Sequence, residues 1–263
     1  MNKILLTFLL VLSFGCSKSS NKNELKVAAT PVPHAQILKF AQSELKKEGI
    51  NLKIVEMSDY NLPNRALEEK EVDANFFQHA PFMEEQIAEF NYPIVCYAKI
   101  HLEPMGLYST KIHSLSDLKE KDTVAIPNDP TNEYRALSLL QTEKMITFSK
   151  GKGGSATIAN IRKNPKNLTF KEVDAALLTR TLQDVTLAAI PTNYILQARL
   201  NPQDALAMES TDSPYVNILV IRKGDEKDER LMALKKVMLS DNMRKYIETQ
   251  YKGNIIPILK NCK

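Results

Sequence analysis

At 263 residues, with 43% hydrophobic and 25% charged side chains, the chain is long enough for one large domain or two lobes and too balanced for a disordered or fibrous protein. Lys and Arg number 35 against 31 Asp and Glu, a formal net charge of +4, and the two signs are interleaved. No Lys/Arg stripe mixed with aromatics occurs, which argues against nucleic acid as a partner.

Residues 1–15 read as a secretory signal. Met1-Asn2-Lys3 is a short positive start, Ile4 to Leu12 is an apolar run broken only by Thr7, and Ser13-Phe14-Gly15-Cys16 sets a small residue ahead of a cysteine. The run is far shorter than the ~20 residues that a membrane-spanning helix needs. Cys16 is therefore the expected lipidation site, and residues 16–23 continue as a polar leash between a lipid and a folded body. Such sites usually carry Leu where this chain has Ser13, so an ordinary cleaved signal with a chance cysteine is the alternative. The expected location is the cell membrane, lipid-anchored and facing the periplasm or the cell exterior. Cys96 and Cys262 remain, either paired or kept as buried thiols.

Strands then alternate with helices. Leu25 to Ala29 predicts a strand, Pro31 to Pro33 punctuates, and Ile37, Leu38, Ala41 and Leu45 recur at helical spacing until Gly49. Leu52 to Glu56 is strand-like, and Leu62-Pro63 opens a helix. Asn75 to Phe77 is a short strand end, Pro81 to Glu89 a helix, and Ile94 to Tyr108 a long extended run interrupted at Glu103-Pro104. Helices are expected to start at Ser114 and Thr131, with Thr123 to Ile126 a strand between them. Further strands are expected at Asn167 to Val173, Leu187 to Ile190 and Val216 to Arg222, and closing helices at Glu229 to Leu239 and Asn242 to Tyr251. Regular alternation means an α/β fold with mostly parallel central sheets. If the runs ending at Tyr108 and starting at Ser213 cross between lobes, residues 24–108 with 215–263 form lobe 1 and residues 109–214 form lobe 2. Small-molecule sites favour the cleft between such lobes. A single doubly wound sheet would show similar alternation.

Enzyme signatures are weak. The four histidines, His34, His79, His101 and His113, include no pair at the spacing of a zinc-protease helix. His101-Leu-Glu103 matches the opening of a nucleobase-deaminase motif, but no Pro-Cys-x-x-Cys follows. Gly151 to Thr157 has its lysine before the second glycine, unlike a phosphate loop, and reads as a loop into a helix capped by Ser155. No Gly-x-Ser-x-Gly elbow occurs. No catalysis, metal or cofactor is expected.

Three features suit a binding cleft instead. In Pro127-Asn-Asp-Pro130-Thr-Asn-Glu-Tyr-Arg135 a rigid turn leads to a helix capped by Thr131 or Asn132, whose amides and dipole favour an anion and whose Arg135 adds a fork matched to a carboxylate. An ordinary surface arginine is the plain alternative. Phe77 and His79, with Phe82 just after them and Tyr60 upstream, are placed to form an aromatic box for an apolar or sulfur-bearing side chain, although each ring alone fits a core as well. Asn193 and Asn217 carry donors and acceptors suited to an ammonium and a carboxylate, and equally suit turns.

The strings ATPVPHAQIL, NFFQHAPFM, HLEPMGLYS, IPNDPTNEYRALSLLQ, NPKNL, ESTDSPYVN and YKGNIIP, in this order over nearly the whole mature chain, closely resemble the methionine-binding lipoproteins that serve ABC importers. The resemblance implies a two-lobed periplasmic-binding-protein fold, a monomer that holds methionine in the cleft and delivers it to a membrane permease. It makes Arg135 the carboxylate partner, Asn193 and Asn217 polar contacts to the ligand backbone, and Tyr60, Phe77 and His79 the side-chain pocket. Phe82 stands where the family usually has Tyr, keeping the ring and losing a hydroxyl. Leu177 to Thr181 and Ile190 to Asn193 also depart from the family's usual strings. Another apolar amino acid or a methionine-containing dipeptide is therefore an alternative ligand, and a surface lipoprotein acting in adhesion or signalling an alternative function.

Overall fold

The structure, a computed structural model, describes residues 23–149 and 156–262. The signal, Cys16, almost all of the leash and the glycine-rich loop up to Ser155 lie outside the described residues.

Two sheets organise the chain. The first has six strands in the order β13-β4-β12-β3-β1-β2, and the second has five in the order β11-β5-β10-β6-β9. In the first, β1 (Glu24–Ala29) pairs in parallel with β2 (Asn51–Glu56) and β3 (Ala74–His79). The returning strand β12 (Val216–Arg222) wedges antiparallel between β3 and β4 (Ile94–Leu102), and β13 (Ile256–Asn261) closes the edge antiparallel to β4. In the second, β6 (Thr123–Pro127) pairs in parallel with β9 (Thr169–Val173) and β10 (Leu187–Ile190), while β5 (Gly106–Tyr108) and β11 (Ala207–Met208) add antiparallel pairings at the far edge. The sheets are thus mixed rather than mostly parallel. A strand that carries the chain back into a sheet must oppose the strand that carried it out, and β12 does so against β4.

The run ending at Tyr108 is two strands. Pairing changes sheet between Leu102 and Gly106, so Gly106–Tyr108, expected in lobe 1, belong to the second sheet. The links between lobes are Glu103 to Met105 and Glu209 to Tyr215. They are tied to each other, because Glu209 N–H donates to the Met105 carbonyl at 2.8 Å and Met105 N–H to Glu209 Oε2 at 3.2 Å.

The inner strands of each sheet are buried on both faces, which explains their nearly continuous apolar sequences. Against the first sheet, α1 (Gln36–Lys47), α7 (Glu229–Met238) and α8 (Asp241–Tyr251) cover one face with Ile37, Leu38, Leu234 and Ile247, and α2 (Leu62–Glu68) with α3 (Ala80–Phe90) cover the other. In β6, Val124 and Ile126 face α4 (Pro130–Thr142) and Ala125 faces the opposite cluster, the period-two pattern of a strand. On that opposite side lie α5 (Leu178–Thr181) and α6 (Thr192–Gln197), each too short for a periodic signal. The expected helix at Ser114 is a single tight turn, Leu115–Asp117, with Ser114 and Asp117 forming a capping box. Cys96 on β4 and Cys262 after β13 pair as a disulfide, with Cα atoms 5.9 Å apart.

Candidate functional site

A cavity between the lobes is lined by Tyr60, Phe77, Gln78, His79, Phe82, Glu103, Asn132, Arg135, Pro191, Asn193 and Asn217. The structure therefore brings together every pocket residue singled out from sequence, and adds Gln78, Glu103, Asn132 and Pro191. The cavity is small, about 20 Å³. The lobes are drawn close over it, and entry of a small molecule requires them to part.

The first wall comes from the end of β3. Asn217 and Ile218 of β12 pair with His79 and Gln78, but Leu219 pairs with Phe76, so Phe77 is the extra residue of a bulge. Strict alternation would turn one of two neighbours away from the cleft. The bulge re-aims the strand so that Phe77, Gln78 and His79 all reach the cavity while Phe76 stays in the core. The rings of Phe77 and Phe82 lie 5.8 Å apart, and each is 5.9 Å from the ring of Tyr60. His79 stands 6.2 Å from Phe82. These four rings make an apolar box.

His79 is also a fixed hydrogen-bonding element. Its Nδ1 accepts the Phe82 N–H at 3.1 Å, capping α3, so Nε2 carries the proton and donates to Asn132 Oδ1 across the cleft at 3.1 Å. Burial, and then the Arg135 cation, lower its pKa to about 3. Two more bonds beside the cavity cross between the lobes: Tyr60 OH donates to Asn193 Oδ1 at 2.8 Å, and Tyr194 OH to the Ser58 carbonyl at 3.2 Å. Asn193 Nδ2 is buried with no hydrogen-bond partner in the described structure.

The start of α4 differs from expectation in two ways. Its N-cap is Asp129 rather than Thr131 or Asn132, because proline in the first helical position pre-sets the turn and leaves the preceding side chain to cap it. Asp129 Oδ1 accepts the Asn132 N–H at 2.9 Å, so the chain's own carboxylate already occupies this helix start. Arg135, in turn, does not present its whole fork to the cavity. Its Nε and Nη2 grip Glu209 at 2.6–3.1 Å, and Nη2 also donates to the Glu103 carbonyl at 2.5 Å. The guanidinium carbon lies 4.6 Å from the centre of the Tyr215 ring. Arg135 thus braces both links between the lobes, and Nη1 is the nitrogen without a protein partner among the described residues.

Behind the cavity Glu103 Oε1 accepts from His101 Nε2 at 2.6 Å and lies 3.3 Å from His34 Nε2. His34 Nε2 also donates to Asn217 Oδ1 at 3.0 Å, and its Nδ1 accepts from the Thr30 hydroxyl at 2.6 Å. Burial lowers His34 to about 4 and His101 to about 3, and raises the Glu103 pKa. The donor atoms of these three residues lie within 4.8 Å of one another, close enough for a metal. Their hydrogen bonds put the proton of His34 on Nε2, the nitrogen a metal would need. The deaminase-like His101-Leu-Glu103 is therefore a hydrogen-bonded support for the cleft. Glu103 and Glu209 went unrecognised in sequence, although a carboxylate before proline inside an apolar run was a visible signal for the first.

The sequence profile of the NlpA lipoproteins matches residues 25–259. The methionine-binding lipoprotein MetQ of Bacillus subtilis is 42% identical over 245 residues, 91% of this chain and 89% of the relative. Among solved structures, a nutrient-binding protein from Burkholderia cenocepacia bound to methionine superposes with a TM-score of 0.85 at 41% identity, covering 89% of this chain and 99% of that one. An ABC-transporter periplasmic substrate-binding protein from Coxiella burnetii does so with a TM-score of 0.84 at 40% identity, covering 89% and 100%.

Proposed function

The chain belongs to the NlpA lipoprotein family, and from that premise we propose that it is the lipid-anchored substrate-binding protein of an ABC importer, capturing methionine between its lobes. The observation that carries this reading is the single cleft in which Tyr60, Phe77, His79, Phe82, Arg135, Asn193 and Asn217 converge. The ring box suits a thioether, which gains about 0.3–1.5 kcal/mol against an aromatic edge. Arg135 Nη1 and the unpartnered Asn193 Nδ2 are donors for a carboxylate. Ligand bridging the lobes favours the closed arrangement, which the permease then recognises. The work of such a protein is binding and release, without catalysis.

Among the described residues no helix is long and apolar enough to cross a membrane, and attachment is assigned to Cys16. Mass spectrometry of the ligand released from purified, denatured protein tests the cargo: methionine is expected, and a peptide or a different amino acid as the sole ligand would overturn it. Cys16→Ala should abolish acylation, and undiminished lipid labelling of that variant would refute the anchor.

A further inference from the structure

We propose that Glu103 is the seat of the ligand's ammonium group, so that the cleft selects an α-amino acid over the plain carboxylic acid with the same side chain. This rests on the amino-acid reading above and adds to it the residue that reads the amine.

The hydrogen-bond census of the cavity wall supplies the argument. Nearly every acceptor is already engaged: Asn193 Oδ1 by Tyr60, Asn217 Oδ1 by His34, Gln78 Oε1 by Asn64 at 3.0 Å, and Asn132 Oδ1 by His79. Glu103 accepts from His101 through Oε1 and is also approached by the Asn193 backbone N–H, yet a carboxylate offers about four lone pairs, so it keeps acceptor capacity that no other side chain of the wall has. The unengaged donors, Arg135 Nη1 and Asn193 Nδ2, line the same cavity. A carboxylate with acceptor capacity to spare and unengaged donors around one small void match a zwitterion, whose ammonium donates and whose carboxylate accepts.

Charge points the same way. Glu103 is 3% exposed, and a buried carboxylate without a cation is costly. Arg135 is the nearby cation, but its field does not outweigh the burial that raises the Glu103 pKa. His34 and His101 are kept neutral by burial and contribute only N–H dipoles, and Arg135 is matched by the bidentate Glu209. An incoming ammonium completes the ion pair. The imidazoles hold the Glu103 carboxylate from behind, so it is oriented before the ligand arrives.

The test is calorimetry on the purified chain with methionine and with its deaminated analogue, 4-(methylsulfanyl)butanoic acid. Wild type should prefer methionine by on the order of a hundredfold, the cost of leaving a buried charge unpaired. Glu103→Gln should lose methionine affinity by a similar factor and hold the analogue within about threefold of wild type. Glu103→Asp, which keeps the charge, should retain part of the discrimination, and the wild-type comparison requires no variant to fold. If wild type binds methionine and the analogue equally, or if Glu103→Gln weakens both alike, Glu103 does not read the amine, while the amino-acid reading survives. Absence of methionine binding to wild type overturns both.

Discussion

Replacing Arg135 by alanine separates its two tasks. In the folded protein its Nε and Nη2 hold Glu209, whose side chain is 15% exposed, while Arg135 itself is 3% exposed. Removing one member of a buried pair typically costs about 3–5 kcal/mol, and the residual exposure of Glu209 places this pair at the lower end. Arg135→Ala should therefore destabilise the ligand-free protein by about 3 kcal/mol, measured by urea denaturation. The ligand carboxylate would lose the donor Nη1, a charge-assisted hydrogen bond worth about 1.5–3 kcal/mol, or about ten- to more than a hundredfold in affinity. Calorimetry reads the second quantity independently of the first. Glu209→Gln relaxes the brace and leaves Nη1 in place, so it should weaken methionine by less than tenfold. Arg135→Lys should recover part of the binding and little of the stability, because a point charge cannot span Glu209 and the Glu103 carbonyl together. If Arg135→Ala loses stability yet binds methionine within threefold of wild type, Arg135 is a brace only.

Phe76 and Phe77 should part company: Phe76→Ala, in the core, is expected to cost about 3–5 kcal/mol of ligand-free stability, whereas Phe77→Ala should cost less and weaken methionine by about tenfold or more, and equal stability losses would mark Phe77 as core. Stability should fall on acidification below about pH 6.5 and continue falling toward about pH 3–4. His34, His79 and His101 are depressed to about 4, 3 and 3, so the unfolded chain takes up their protons first. Glu103, raised by burial, acts in the opposite sense as pH rises through its folded-state value and offsets part of this slope. Denaturation at pH 7, 6 and 5 should show the His79→Gln slope shallower by about 1 kcal/mol per pH unit on average, approaching about 1.4 below the unfolded-state pKa, and an unchanged slope would place His79 outside the linkage. Serine at both Cys96 and Cys262 opens a link spanning 166 residues, for which the chain-entropy relation gives a loss of about 5 kcal/mol, and a denaturation midpoint equal to that of the oxidised wild type would show that the bond contributes nothing.

How far the site could be read from sequence depends on which interactions are local. Inner strands such as Leu187–Ile190 and Val216–Arg222 have the bounds that their sequence predicts, because a strand buried on both faces writes itself as a nearly continuous apolar run. The edge strand β13 carries Pro257 and half-buried positions, and gains its place from pairing with β4 and from Cys96, neither of which is local. The cleft repeats the pattern. Phe77, His79 and Phe82 lie close together at one junction, so their convergence is a local matter. The bulge that lets Phe77, Gln78 and His79 face the same void is imposed by the register of β12, a strand far along the chain. Arg135 was recognisable as a cation placed near a helix start. Its engagement by Glu209 was not, because that pair forms only when the outgoing and returning links lie side by side at Met105 and Glu209. The residue proposed to meet the ligand's carboxylate is thus joined to both segments that link the lobes, so on that proposal closure and carboxylate binding act on the same guanidinium.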